Sequence, residues 1–326
     1  MLSQLREILV KLILGRDLYS NFTFAASFAR EESRKAVIHR HEEYIESLVR
    51  ASNAPCSWYP RIHVIHVIVT DNVGDIHCGP EYYLKKSGIN AEIILHDLES
   101  IDETVIRRED IVIIGGGGLI DFSDKWNGTI NKCIRLSDHV VIWGAGYNKH
   151  YANEDITESI EFEKIRLIGI RDYIDKNTYV PCVSCMLPHF DLNYTVKRKI
   201  GVAKHKDFSQ NIPGEFLKYD SITNTASLES VVRFIGESEY IATNTYHMYY
   251  WATLLKKKVV LFGEFSSKFD SLRYPPVRYS GILEEDLKKA VVYENALEES
   301  REINRAYLIK IRDSMLPLSE VCTQWQ

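Results

Sequence analysis

The sequence predicts an α/β protein built from two doubly wound units that face a cleft. Three observations predict it. From Arg61 onward, short β-branched runs alternate with helical stretches; the runs repeatedly end in Gly-rich or polar turns; and the same grammar restarts after a polar connection at Pro188 to Arg198. Apolar runs without polar alternation suit parallel strands buried on both faces, and sheets of this kind bind ligands at the carboxyl ends of their strands.

The first fifty residues read as helical. Leu2, Leu5, Leu9, Leu12 and Ile13 form one stripe, and the charged stretch Glu31 to Arg50 suits a second helix. Docking on the core is the plainer use of the stripe; lying on a membrane surface is the alternative. Asn53-Ala54-Pro55 and Pro60 break the pattern. Ile62 to Thr70 is then a buried strand, ending in the polar turn Asp71 to Asp75, with a helical stretch to about Lys86. Ala91 to Leu95 is a short strand. Asp110 to Ile114 runs straight into Gly115-Gly116-Gly117-Gly118, followed by a helix-like piece to Ser137. The strand His139 to Trp143 ends in Gly144-Ala145-Gly146, and Ile165 to Ile170 ends at Arg171-Asp172.

Beyond the connection, Lys199 to Ala203, Tyr240 to Thr243 and Lys258 to Phe262 read as strands. Ala226 to Ile235 and His247 to Leu255 read as helices. The tail from Leu283 is charged and helical, anchored by Leu287, Ala290, Val291, Leu308 and Ile311, and is expected to cross back to the first unit. The division expected is therefore N-terminal helices plus a first domain over 1–190, and a second domain with a helical tail over 191–326.

Composition narrows the function. The 326 residues allow two separate cores, and 45% apolar with 26% charged is ordinary for a globular protein. A net charge of −5 argues against a general nucleic-acid binder, so no nucleic-acid partner is expected. No run approaches the ~18–20 apolar residues of a membrane span. Arg6, Glu7 and Lys11 interrupt the N-terminus too often for a secretory signal, so a cytoplasmic location is expected. Six cysteines make no disulfide scaffold. Cys182 and Cys185 form a C-x-x-C without the second ligand pair of a zinc site, so buried thiols are expected over metal or redox use. Asp71, Asp75 and Asp121 show no hard-cation pattern, and no metal site is expected.

Chemistry concentrates at the predicted strand ends. Four glycines after a buried strand, Gly115 to Gly118, let backbone amides approach an anion, although the loop lacks the Gly-Lys-Ser/Thr of a phosphate-binding P-loop. A tight turn without a ligand is the plainer alternative. Asn72-Val73-Gly74-Asp75 ends another strand at the same sheet edge, as a binding turn or a simple helix cap. His247 follows a strand at a helix start, where a partly desolvated imidazole suits general acid–base work. Arg171 also follows a strand, where a surface ion pair with Asp172 is the plainer alternative; Lys268, Arg273 and Arg278 cluster after Gly263 and would gather an anionic substrate or merely balance nearby acids.

The order of these segments resembles the polysaccharide pyruvyltransferase family. The resemblance rests on Asn72-x-Gly74-Asp75, Ile113-Ile114-Gly115-Gly116-Gly117-Gly118-Leu119, Trp143-Gly144-Ala145-Gly146, Gly169-Ile170-Arg171-Asp172, and Tyr240 to His247 followed by Ala252 and Lys258 to Leu261. It spans roughly residues 64 to 270. It implies two Rossmann-like halves similar to GT-B glycosyltransferases, and transfer of a pyruvyl group from phosphoenolpyruvate to sugar hydroxyls as a ketal, without metal or cofactor. The implied acceptor is a sugar or lipid-linked oligosaccharide in surface (capsular or exopolysaccharide) synthesis, at the inner face of the membrane. His247 falls on the family's histidine, Arg171 on its Arg-Asp, and Lys268 near a following lysine. One departure stands out: the family's arginine two residues before the histidine is Thr245, and its leucine is Tyr246. A neutral threonine cannot hold an anion as arginine does. Either Arg171, Lys268 or Arg273 takes over, or the donor differs. A glycosyltransferase using a nucleotide sugar, and a non-catalytic glycan-binding or scaffolding protein, are the competing expectations.

Overall fold

The computed structural model describes residues 33–46, 61–89, 91–151, 155–207 and 212–315. The stripe Leu2 to Ile13 and the break at Pro55 and Pro60 lie outside them. Helix α1 covers 33–46. Strand β1 (Ile62–His66), helices α2 (Val73–Ile76) and α3 (Glu81–Lys86), and strands β2 (Ile93–Asp97), β3 (Ile111–Gly115) and β4 (Gly118–Ile120) follow. Helix α4 (Asp124–Leu136) and strands β5 (His139–Tyr147) and β6 (Leu167–Ile170) complete the first half. Its sheet has the order β2-β1-β3-β5-β4, with β6 also on β5, and every pairing is parallel. Continuous apolar runs on β1 and β3 are buried residue by residue, as a sheet covered on both faces requires.

Local chemistry shifts several boundaries from expectation. The helical stretch after Asp75 is split, because Pro80 brings no amide hydrogen to a continuing helix and instead precedes the first turn of α3. The segment after Gly118 forms strand β4 before α4 begins at its Ser123 cap. Strand β5 does not stop at Trp143: Gly146 pairs with Gly118, so the glycine run stays in the sheet.

The second half contains β7 (Arg198–Lys204), β8 (Ser221–Thr223), α5 (Leu228–Gly236), β9 (Ser238–Thr243), α6 (Tyr246–Leu254), β10 (Lys258–Leu261), β11 (Val277–Arg278), α7 (Leu283–Lys289) and α8 (Ala296–Met315). Its sheet is also wholly parallel, in the order β11-β10-β9-β7-β8.

The cores are not separate. One apolar cluster joins Val73, Cys78, Tyr82, Cys182 and Leu187 of the first half to Val231, Ile235, Met248 and Trp251 of α5 and α6. The tail does cross back: Asn304 Oδ1 accepts from the Trp143 indole at 2.7 Å, and the Tyr307 hydroxyl donates to the Ile142 carbonyl at 2.6 Å. Tyr307, Ile311 and Met315 pack with Val64, Ile113 and Trp143, and Val37 and Ile38 of α1 join the same cluster. Among the described residues, no helix is long and apolar enough to cross a membrane.

Candidate functional site

The carboxyl ends of β1, β6, β7 and β9 converge on a cavity of about 350 Å³. Both sheets contribute to its walls, and the Val73 amide donates to the Asn224 carbonyl across the junction at 2.8 Å. Each turn is locally specified. Asn72 caps α2 by accepting from the Gly74 amide, and its own amide donates to Asp75 Oδ2 at 2.7 Å. That pair fixes the Asp75 carboxylate at the cavity wall. Thr245 caps α6 by accepting from the Met248 amide at 3.2 Å, which starts the helix at Tyr246 and His247.

His247 is buried rather than partly exposed. Its Nδ1 lies 3.9 Å from Asp75 Oδ1, and its ring packs against Trp251 with centroids 5.6 Å apart. The close approach depends on Gly74, since a Cβ there would lie 2.6 Å from His247 Cγ. Burial first, then the charges of Arg171 and Lys268, hold this imidazole well below its usual range. It is neutral at pH 7 and available as a proton acceptor.

Arg171 is not the surface ion-pair residue of the plainer expectation. It is 3% exposed, its guanidinium stacks 3.8 Å above the Tyr246 ring, and its Nε and Nη1 have no hydrogen-bond partner. Asp172 accepts from the Tyr147 amide at 3.0 Å, and burial raises its carboxyl to about 6. Lys268 lies 4.0 Å from the Phe265 ring centroid. Burial brings its ammonium down to about 7, against the pull of Asp75 and with the push of Arg171. Burial also raises the Asp75 carboxyl, opposed by Lys268, Arg171 and the bond from Asn72. The cavity thus offers a permanently charged cation with idle donors, a lysine and a carboxyl that titrate toward neutrality, and a neutral imidazole. Such a set has the chemistry to bind a compact anion and to move a proton beside it.

Asn72, Gly74, Asp75, Gly117, Gly118, Arg171, Thr245, His247 and Lys268 all line this cavity. Four expected residues do not. Gly115 ends β3, and the Gly116 amide donates to the Trp143 carbonyl at 3.1 Å, so neither points an amide at a ligand. Gly116 and Gly117 instead turn the chain at φ of +80° and +79°, a bend suited to glycine. Arg273 stacks on Tyr173 at 4.8 Å and faces Glu299 at 3.8 Å, away from the cavity. Arg278 ties Glu264 to the Phe269 carbonyl.

Sequence reasoning missed His150, His205, Lys206 and Phe265, which complete the wall. His205 and Lys206 directly follow β7, so the strand-end rule applied elsewhere would have found them. Burial and Lys268 together lower His205 to about 4, and Lys206 pairs with Asp71. Cys182 and Cys185 are buried free thiols, and Cys182 Sγ lies 3.8 Å from His247 Nε2. One further group of potential ligand atoms lies behind the cavity wall. His41, His66 and Glu81 come together although 25 and 15 positions separate them along the chain.

No family model and no curated protein matches this chain. A solved structure of an uncharacterized protein from Klebsiella pneumoniae is similar at a TM-score of 0.41 and 19% identity, covering 70% of this chain and 89% of that one.

Proposed function

We propose that the chain is a pyruvyltransferase-like transferase of surface-polysaccharide synthesis, its two α/β halves facing the cavity as in GT-B enzymes. One observation carries the reading: Arg171 is buried with two idle guanidinium donors and lines the same cavity as His247, Lys268 and Asp75. Buried donors without partners are costly unless a ligand satisfies them. Phosphoenolpyruvate supplies a carboxylate and a phosphate for Arg171 and Lys268. The stacked Arg171–Tyr246 pair provides the charge that Thr245 lacks.

In this reading His247 accepts the proton of one sugar hydroxyl while its oxygen bonds to the central carbon of the donor. The methylene carbon takes up that proton from His247 and becomes a methyl. The second hydroxyl then attacks the same carbon, inorganic phosphate leaves, and that hydroxyl's proton departs with it. Positioning and charge neutralisation supply most of the rate, because phosphate leaves well once its charge is matched. The reading also carries a cytoplasmic location at the inner membrane face, where lipid-linked acceptors would be met.

A second reading, a glycosyltransferase with a nucleotide-sugar donor, is favoured by Thr245 alone. Incubating the protein with phosphoenolpyruvate and oligosaccharide acceptors, with mass spectrometry of the products, tests the first. A pyruvate ketal on the acceptor supports it. Stabilisation by uridine or cytidine nucleotides without any response to phosphoenolpyruvate would favour the second.

A further inference from the structure

Behind the turn that carries Asn72 and Asp75 lies a buried cluster that the transfer reading leaves idle. His41 of α1, His66 at the end of β1 and Glu81 at the start of α3 bring one ligand atom each within 4.8 Å of one another. All three are buried, and none lines the cavity. Glu81 Oε1 meets His41 Nε2 at 2.8 Å. Glu81 Oε2 faces His66 Nε2 at 3.7 Å, too far for a hydrogen bond, and neither atom has any partner.

The protonation follows from geometry. His66 Nδ1 lies 3.1 Å from the Asp75 carbonyl oxygen, which can only accept, so Nδ1 carries the hydrogen and Nε2 presents a lone pair. Two lone pairs therefore face each other in a dry space. Gly79 leaves that space open, since a Cβ there would sit 2.5 Å from His66 Nε2 and closer still to Glu81 Oε2. The buried Nδ1 of His77 is also unpartnered, and its ring centroid lies 5.5 Å from that of His41.

We propose that His41, His66 and Glu81 hold a divalent cation of the zinc class, in a buried three-ligand site that clamps α1 to β1 and α3. Two imidazoles and a carboxylate suit zinc, whereas magnesium and calcium favour all-oxygen shells. A backbone carbonyl on the far nitrogen of a ligating histidine is the usual device for fixing its tautomer. Ligands of one tetrahedral ion stand roughly 3.3 Å apart, so binding would open the His41–Glu81 contact slightly.

The test uses the full chain, stripped with a chelator and titrated with cobalt(II). The expected result is one tightly bound equivalent with the intense visible absorption of a low-coordinate site, displaced by one equivalent of zinc, which also raises the melting temperature. Glu81→Gln and His66→Gln should abolish that absorption, while His189→Gln retains it. Should the ligand variants fail to fold, the wild-type titration decides by itself. A folded wild-type chain that binds no cobalt, or shows only the weak absorption of six-coordinate surface sites, overturns the proposal and leaves a protonated histidine–glutamate network.

Discussion

Replacing Arg171 by methionine separates a binding residue from a structural one. The guanidinium is 3% exposed, two of its nitrogens lack partners, and it stacks 3.8 Å from the Tyr246 ring. Each unsatisfied buried donor costs about 1–3 kcal/mol, while a desolvated cation–π contact returns about 2 kcal/mol. Methionine keeps much of the apolar stem and removes both terms. The unliganded protein should therefore change by about 0–4 kcal/mol, toward greater stability. Anion binding should behave oppositely. Two charge-assisted bonds are worth about 3–6 kcal/mol together, so phosphoenolpyruvate and inorganic phosphate should bind ~10²–10⁴-fold more weakly. Urea titration gives the first quantity; calorimetry and ligand-dependent melting give the second. The reasoning is refuted if Arg171→Met loses more than about 3 kcal/mol without ligand, or binds phosphate as well as the native chain.

His247→Gln should lower turnover ~10²–10⁴-fold in the ketal assay, and Gly74→Ala should do the same in kind by pushing the imidazole off Asp75, visible as a shift of the His247 ring resonances. Anion affinity should fall as pH rises through about 7, where Lys268 loses its proton, and Lys268→Met should flatten that profile in calorimetry. The same depressed value means that the unfolded chain holds more protons between about 7 and the usual ~10.4, so Lys268 makes stability rise with pH across that window. Asn304→Ala strands the Trp143 indole and the Pro181 carbonyl, and should destabilise by about 2–4 kcal/mol in urea titration.

The sheets were legible because buried parallel strands cannot alternate. Ile111 to Ile114 and Val140 to Trp143 read directly as continuous apolar runs. Strands β4, β8 and β11 span two or three residues each and carry no such signal. Gly144-Ala145-Gly146 reads as a turn along the chain; Gly118 of β4 and Ile170 of β6, both distant in sequence, keep it in the ladder. The strand-end rule picks out Asp75, Arg171 and His247, which line the cavity, but it cannot tell burial. Both Arg171 and His247 were read as more exposed than they are, because Tyr246 and Trp251 close over them only in three dimensions. Arg273 was grouped by proximity along the chain, whereas Tyr173 and Glu299 draw its side chain elsewhere. His41, His66 and Glu81 sit on three elements with no motif spacing at all.

The return of α8 to the first sheet governs the order in which the protein can be made. Strand β5 leaves the ribosome long before residues 296–315, yet Asn304 and Tyr307 satisfy the Trp143 indole and the Ile142 carbonyl and cover them with apolar surface. Until that helix is synthesised, the nascent first sheet keeps part of one apolar face, around Val64, Ile113 and Trp143, without the cover of Tyr307, Ile311 and Met315. Folding domain by domain during translation is the usual route for chains of this size. Here the N-terminal half must instead wait in an incomplete form for the last helix. A chain stalled or truncated before residue 296 should therefore engage chaperones and proteases rather than persist as a folded half.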